Sequence, residues 1–269
     1  MQIRSASHRT TNNAIFEHLK PHIKEGSRFL DFGAGLGHMS QRVGSHAQEL
    51  KLNPAEIIFP CEIVPEEFQY SDVACTKIEP NSIIPFPDNH FDVVYAIEVM
   101  EHTQRPYDLF KEAYRVLKPG GTIIISTPNV SHLVSRISNL LSGFPHLYPP
   151  PSKRVENAGR ICGHIMPLSY PYFHYGASTA GFMEISFHTD RLKKGALFLS
   201  VLLWPFLRIS TFRYLRRLKS YDADLYEENS HLVPTMNSLD VLASRSSIVI
   251  AKKQTVESSL FCPDQLTSP

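Results

Sequence analysis

The residues able to do chemistry fall into three groups along the chain. The first is Phe29-Leu30-Asp31-Phe32-Gly33-Ala34-Gly35-Leu36-Gly37, an apolar run ending in an acidic residue and three alternate glycines. Glycine has no Cβ, so it turns through positive φ and lets a ligand approach the backbone closely. Amides that follow a strand, at the start of the next helix, can hold a nucleoside. A dinucleotide fingerprint reads Gly-x-Gly-x-x-Gly, whereas Gly33, Gly35 and Gly37 give Gly-x-Gly-x-Gly behind Asp31, which speaks against a nicotinamide site. Asp31 is placed to position the loop amides. Glu62 closes the next apolar stretch, where a carboxylate can accept from both ribose hydroxyls. Glu66 and Glu67 are nearby rivals that read better as partners of a helix N-terminus. The second group is Glu98, Glu101 and His102. On a helical turn, positions i, i+3 and i+4 share a face, so two carboxylates and an imidazole can converge on one ion or one acceptor, or serve structure alone. The third is His164 in Cys162-Gly163-His164. Histidine is suited to taking a proton near neutral pH, but the chain has 13 of them.

Alternating strands and helices must position these groups. Arg28 to Phe32, Glu56 to Cys61 and Val73 to Ile78 read as strands one to three, and a helix over Asn13 to Ile23 precedes them. Phe91 to Ile97 is a near-continuous apolar run that suits a parallel strand covered on both faces. Pro106 opens a helix whose stripe is Leu109, Phe110, Ala113, Val116 and Leu117. Lys118-Pro119-Gly120-Gly121 reads as a turn that stops it, and Thr122 to Thr127 as the fifth strand. Leu168 to Ala180 is an aromatic-rich helix, Met183 to Phe187 a strand, and Ser246 to Ala251 the last strand. The pattern is α/β, a Rossmann-like doubly wound sheet of about seven strands.

Taken in order, Pro85-Phe86-Pro87-Asp88 with Phe91-Asp92-Val93, Glu98-Val99-Met100-Glu101-His102, Arg115-Val116-Leu117-Lys118-Pro119-Gly120-Gly121 and Ser126-Thr127-Pro128-Asn129 resemble a known set. Together with the glycine loop they resemble the ubiquinone/menaquinone-type subgroup of class I S-adenosylmethionine (SAM) methyltransferases, over roughly residues 27 to 130. The resemblance implies strand order 3-2-1-4-5-7-6 with the last strand antiparallel, and SAM as cofactor. It implies SAM binding by Asp31, Gly33, Gly35, Gly37, Glu62 and Glu98, with Asp31 facing the methionine ammonium through water. His102 would face the acceptor, and His164 would precede a helix lining it. Similar Glu-x-x-Glu-His elements hold a metal in some relatives and none in many, so no metal site is assigned. Many relatives carry an Asp before the Pro-Phe-Pro-Asp element. Here Lys77-Ile78-Glu79-Pro80-Asn81 stands instead, which leaves Glu79 and Asn81 as weak adenine partners. The implied function is methyl transfer to a small-molecule or lipid-linked acceptor, with a hydroxyl preferred. A catalytically inactive SAM-fold scaffold, or a metal-dependent enzyme acting on quinone precursors or RNA 2′-hydroxyls, is the alternative.

With 269 residues, 42% of them hydrophobic, the chain can build one large core, and a net charge of +1 argues against a globally electrostatic nucleic-acid binder. Cys61, Cys75, Cys162 and Cys262 show no paired spacing, so neither a disulfide framework nor a cysteine zinc site is indicated. Met1-Gln2-Ile3-Arg4 lacks a signal peptide's apolar core, so a cytoplasmic location is expected. The expected divisions are an N-terminal helical segment at 1–26, the SAM-binding core at 27–189, an insertion at 190–243, the final strand at 244–253 and a disordered tail at 254–269. Within the insertion, Gly195 to Leu207 is uncharged and mostly apolar, and contains Pro205. Arg191, Lys193 and Lys194 precede it; Arg208, Arg213, Arg216, Arg217 and Lys219 follow. The run is shorter than the ~20 residues a spanning helix needs. It is expected to lie in the interface of an anionic membrane, peripherally, or to form a lid buried over the acceptor. Oligomeric state is not legible.

Overall fold

The computed structural model describes residues 2–80, 83–151 and 163–255. Its elements are α1 (Arg9–Leu19), β1 (Phe29–Phe32), α2 (His38–Glu49), α3 (Pro54–Ile57), β2 (Ile58–Glu62), β3 (Thr76–Lys77), β4 (Phe91–Ile97), α4 (Pro106–Val116) and β5 (Leu117–Pro128). They continue with α5 (Leu133–Ser142), α6 (Tyr170–Ala180), β6 (Phe182–Thr189), α7 (Lys194–Tyr221), α8 (Ala223–Asn229), α9 (Leu232–Met236), α10 (Leu239–Ala243) and β7 (Ser246–Lys253). One sheet holds the seven strands in the order β3-β2-β1-β4-β5-β7-β6. Strands β1 to β5 pair in parallel, and β7 runs antiparallel to β5 and β6. This is the implied Rossmann-like order, with the reversed strand where the resemblance places it.

The apolar run of β4 is explained by its two covered faces. Val93 and Tyr95 join the core under α1 and α2. Phe91, Val94 and Ala96 join the core under α4 and α6. Side chains alternate across a strand, so a strand sandwiched between helix layers has no polar face to spare. Helix α4 starts at Pro106 and buries Leu109, Phe110, Ala113 and Val116, and α6 ends at Gly181 in the left-handed region, φ 101°.

Several boundaries differ from expectation. The first helix begins at Arg9 because the His8 side chain caps it, accepting from the Thr10 amide. Asn53 caps and Pro54 opens the short α3, which delays β2 to Ile58 and carries it through Glu62. Only two residues of Val73–Ile78 pair as β3. Lys118-Pro119-Gly120-Gly121 is not a separate turn. The chain enters β5 at Leu117, and a register shift between Phe91 and Val93 absorbs the irregular segment. The tail beyond residue 255 lies outside the described residues, as do Asn81, Cys162 and Cys262.

Between β6 and β7 the chain builds α7 to α10. Helix α7 has 28 residues, so it is about 42 Å long, and it runs through Pro205. The expectation of a short apolar segment is therefore corrected: Gly195 to Leu207 is half of a helix long and apolar enough to cross a membrane. Pro205 costs the bond its missing N–H would make to the Val201 carbonyl, without ending the helix. Ala196, Ser200 and Thr211 are buried on one stripe, against α10, α9 and α5, and the Asn237 amide donates to the Thr211 hydroxyl at 2.8 Å. Phe198, Val201, Leu202, Trp204, Phe206, Ile209 and Phe212 are each more than half exposed on the remaining surface. This outer face is therefore exposed to solvent rather than buried against the described residues.

Candidate functional site

The glycine loop leaves β1 and is tied to the end of β2. The Gly33 and Ala34 amides donate to the Cys61 carbonyl at 3.0 and 3.1 Å, and the Gly37 amide donates to Ala34 at 2.9 Å. The three glycines have φ values of 73°, 52° and 89°, which side-chain-bearing residues adopt only with strain. Their surroundings differ. A Cβ on Gly33 would stand 2.6 Å from a Val99 methyl, and one on Gly37 2.7 Å from the Phe68 ring, whereas Gly35 has nothing within 4 Å. Gly33 and Gly37 are packing requirements, and Gly35 is the open position of the loop.

Glu62 is brought to this loop. Its Oε2 accepts from the Gly35 amide at 2.7 Å and its Oε1 from the Ile63 amide at 2.7 Å. Its rivals Glu66 and Glu67 lie exposed on the Pro65–Glu67 turn, and Glu79 is exposed as well. Asp31 differs from expectation. It is buried and accepts from the Ser40 hydroxyl of α2 at 2.6 Å, so it braces the helix that follows the loop instead of the loop amides. Burial pushes its carboxyl up to about 7, against the hydrogen bond from Ser40.

The second cluster sits at the carboxyl ends of β4 and β5, next to the loop through the Val99 contact with Gly33. The Glu98, Glu101, His102 helical face is corrected by the backbone. Glu98 is in the left-handed region, φ 56°, and only Met100–His102 forms a helical, 3-10, turn. Glu98 instead turns toward β5, where its amide donates to the Ser126 carbonyl at 3.0 Å and its Oε1 accepts from the Ser126 hydroxyl at 3.3 Å. Burial raises its carboxyl to about 7, while Ser126 and Arg245 act to lower it.

Glu101 is fully buried. Its Oε2 accepts from Thr127 at 3.1 Å, and its Oε1 has no partner among the described residues. Burial first and Glu98 second push this carboxyl well above the carboxylate range. The Glu101 carbonyl accepts from the Ile165 and Met166 amides at 2.8 and 3.1 Å, which draws His164 in beside His102. The two imidazoles pack edge to face, 4.9 Å between centroids. His102 Nδ1 donates to the Gly163 carbonyl at 3.0 Å, and His164 Nδ1 to the Leu147 carbonyl at 2.9 Å. A carbonyl only accepts, so each Nδ1 carries the proton and each neutral ring keeps a basic Nε2. Burial lowers both rings below the ordinary histidine value, with His164 adding to the effect on His102. Both shifts favour the neutral ring.

Glu101, His102 and His164 each offer one ligand atom, and these lie within 4.8 Å of one another. An orphaned carboxylate oxygen and two imidazoles held through Nδ1 by backbone carbonyls fit the donor set of a divalent cation. His164 thus stands where the sequence placed Glu98. The residues the sequence did not reveal are Ser40, Ser126, Thr127 and Tyr148, whose hydroxyl lies 3.3 Å from that of Thr127. Only Ser126 and Thr127 stood inside a recognisable motif.

A family model described as a methyltransferase domain matches residues 30–125. Phosphoethanolamine N-methyltransferase 1 of Zea mays is 33% identical over 118 residues, 40% of this chain and 22% of that protein. A sterol 24-C-methyltransferase of Gibberella zeae is 36% identical over 115 residues, 40% of this chain and 30% of that protein. The chain thus spans about a fifth to a third of the length of these curated relatives. Among solved structures, a SAM-dependent methyltransferase from Archaeoglobus fulgidus matches with a TM-score of 0.55 at 16% identity, over 92% of this chain and 95% of that one. A possible histamine N-methyltransferase from Thermotoga maritima matches with a TM-score of 0.52 at 16% identity, over 92% of this chain and 91% of that one. At these identities the solved structures establish the fold.

Proposed function

From a methyltransferase domain set in a class I SAM-methyltransferase fold, we propose that the protein transfers the methyl group of SAM to a hydroxyl of a small-molecule or lipid-linked acceptor. The glycine loop and Glu62 hold the nucleoside; Glu98 lies toward the cofactor. The observation that carries the hydroxyl is the neutral pair His102 and His164. The sulfonium is an activated donor, so nitrogen and carbon acceptors need mainly alignment and exclusion of water. A hydroxyl must also lose its proton, and an imidazole with a free Nε2 takes it. The relatives named above carry N- and C-methyltransferase names, which makes the acceptor atom the point to test. Purified protein with SAM and a panel of phenolic, quinol, amine and sterol acceptors should release S-adenosylhomocysteine with hydroxylated members. Turnover confined to amines, or a sterol product methylated on carbon, would overturn the hydroxyl, and no SAM binding at all would leave the inactive scaffold.

A second reading is favoured by the Glu101, His102, His164 cluster. A divalent cation held there would act as a Lewis acid on the acceptor oxygen. Chelation would then abolish turnover, and His164→Ala would lose metal binding by calorimetry. Full turnover after chelation removes this reading.

A lipid-linked acceptor and peripheral attachment to an anionic membrane, from the cytoplasmic side, are supported by α7. Its inner stripe stays packed on the protein while its outer face offers aromatic and aliphatic side chains beside Arg208, Arg213, Arg216 and Arg217. That arrangement suits a helix lying in the interface plane better than one crossing it. Anionic vesicles should blue-shift Trp204 fluorescence and sediment the protein at low salt, and Ser at Arg213, Arg216 and Arg217 should weaken both. An unchanged Trp204 emission at every salt concentration would favour a soluble acceptor.

A further inference from the structure

Three segments distant in sequence meet at the sheet end that carries Glu98. The Asn129 amide, just past β5, donates to the Arg245 carbonyl at 2.9 Å. Leu192 bridges Ser244, and the Lys193 amide donates to the Ala243 carbonyl at 2.8 Å. Residues 129–132, 191–193 and 243–246 therefore bring together His132, Arg191, Lys193 and Arg245. Two of their donors are buried with nothing to donate to among the described residues, Arg245 Nη1 and His132 Nε2. His132 is 1% exposed, and its Nδ1 accepts from the Ser135 amide at 3.1 Å, so the proton of the neutral ring sits on the orphan Nε2. The His146 ring lies 5.5 Å from it. Two acidic groups face these cations, Glu98 beside Arg245 and Asp190, and the Asp190 oxygens are engaged: Oδ2 by the Thr10 and Thr11 hydroxyls at 2.9 and 3.1 Å, Oδ1 by the Ser246 amide at 3.2 Å. The cations repel one another. Burial, then Arg245 and Arg191, push the Lys193 ammonium down; burial, then Lys193 and His146, push His132 down to about 4.

We infer that Arg245, Lys193 and His132 form a subsite for a phosphate group on the acceptor, an assignment that rests on the methyltransferase reading above. The cations Arg191, Lys193 and Arg245 outnumber the two carboxyl groups beside them, Asp190 and Glu98, of which Glu98 is raised to about 7, and a phosphate monoester dianion neutralises the excess. Its several oxygens accept at once from a guanidinium, an ammonium and the orphan imidazole N–H. Arg245 also acts on Glu98, so the subsite borders the methyl-transfer side and fixes which end of the acceptor faces the sulfonium. The phosphate can belong to a lipid headgroup or to a soluble phosphorylated metabolite.

The test follows the His132 and His146 ring signals by NMR, in protein saturated with S-adenosylhomocysteine, during titration with inorganic phosphate and, separately, with dihexanoyl phosphatidic acid. Saturable shifts of His132 are expected. Arg245→Gln and Lys193→Gln should each weaken the binding at least tenfold, and Arg245→Lys should keep most of it; in Lys193→Gln and Arg245→Lys the thermal midpoint and SAM affinity should be unchanged. Tighter binding of the lipid by tenfold or more identifies a headgroup; equal binding identifies a soluble phosphorylated acceptor. The subsite is overturned if neither probe shifts His132 saturably, or if both Gln variants bind as wild type does. Saturable phosphate binding in a protein with no affinity for SAM would instead retain the anion site and remove the methyltransferase reading.

Discussion

The glycine loop and the acceptor side occupy the same end of one sheet, yet they are built by opposite means. Residues 31 to 37 and Glu62 are two short stretches bound by backbone hydrogen bonds, with Gly33 and Ala34 both on the Cys61 carbonyl. Their chemistry is local, and tolerances are set by single atoms such as the Val99 methyl 2.6 Å from a Cβ at Gly33. The acceptor side draws Glu101, Tyr148, His164, Lys193 and Arg245 from more than 140 positions of chain, joined by side-chain and carbonyl contacts. On the proposed reading, a site made this way can change its acceptor by altering one segment while the glycine loop stays fixed.

The largest expected effect separates fold from ligand within the loop. Gly33→Val puts a branched side chain at φ 73° and into Val99. Strain and overpacking should together cost about 2–6 kcal/mol of stability. Gly35→Val meets open space, so it should cost only the strain, about 1–3 kcal/mol, yet abolish detectable SAM binding. Denaturant unfolding and calorimetry on both variants decide. Equal stability losses with retained SAM binding at position 35 would break the distinction.

A smaller effect should divide the two regions by kinetics. If Glu62 holds the nucleoside as proposed, Glu62→Ala removes charge-assisted hydrogen bonds there and should weaken SAM affinity by roughly 1.5–3 kcal/mol. His102→Ala should lower turnover about 10²-fold or more with SAM affinity nearly intact, since the ring is held by Gly163 and not by the loop. Loss of SAM affinity in His102→Ala would merge the regions into one site.

Legibility in the sequence followed the same division. Strand β4 was readable to the residue because burial on both faces leaves Asp92, near its start, as the one charged position in Phe91–Ile97, and α4 because Pro106 marks its start. The glycine loop and Glu62 announced themselves by residue type at a strand end. Glu98 misled, because Glu-x-x-Glu-His suggests a helical turn and nothing local reveals that the backbone passes through φ 56° there. Helix α7 misled for a related reason. Pro205 and the first arginine suggest an end at Leu207, but helix continuation depends on the packing of Thr211 and its neighbours against the body of the protein. Arg245 and His132 carried no motif, since their significance is a missing partner, which only the folded chain displays.

The smallest effect is a difference in sign between the regions. Asp31, at the loop, has its carboxyl raised to about 7 from 3.8, so the folded state binds its proton more tightly than the unfolded one. Stability from this group is full below pH 3.8 and is lost as pH rises through 7, about 2 kcal/mol of it between pH 5.5 and 7.5. His132, on the acceptor side, is lowered to about 4 from 6.5, so the unfolded state binds the proton more tightly. Its stability is full above pH 6.5 and is lost as pH falls toward 4, about 1.4 kcal/mol of it between pH 7.5 and 5.5. The two slopes oppose each other and leave the wild type nearly flat in this window with respect to these groups. Relative to wild type, Asp31→Asn, which keeps an acceptor for Ser40, should tilt the stability upward with pH. His132→Asn keeps a helix cap for α5 and should tilt it downward relative to wild type. Chemical denaturation of the three proteins at pH 5.5 and 7.5 checks both, and changes of slope of the same sign, relative to wild type, in the two variants would show that Asp31 and His132 do not titrate as opposites.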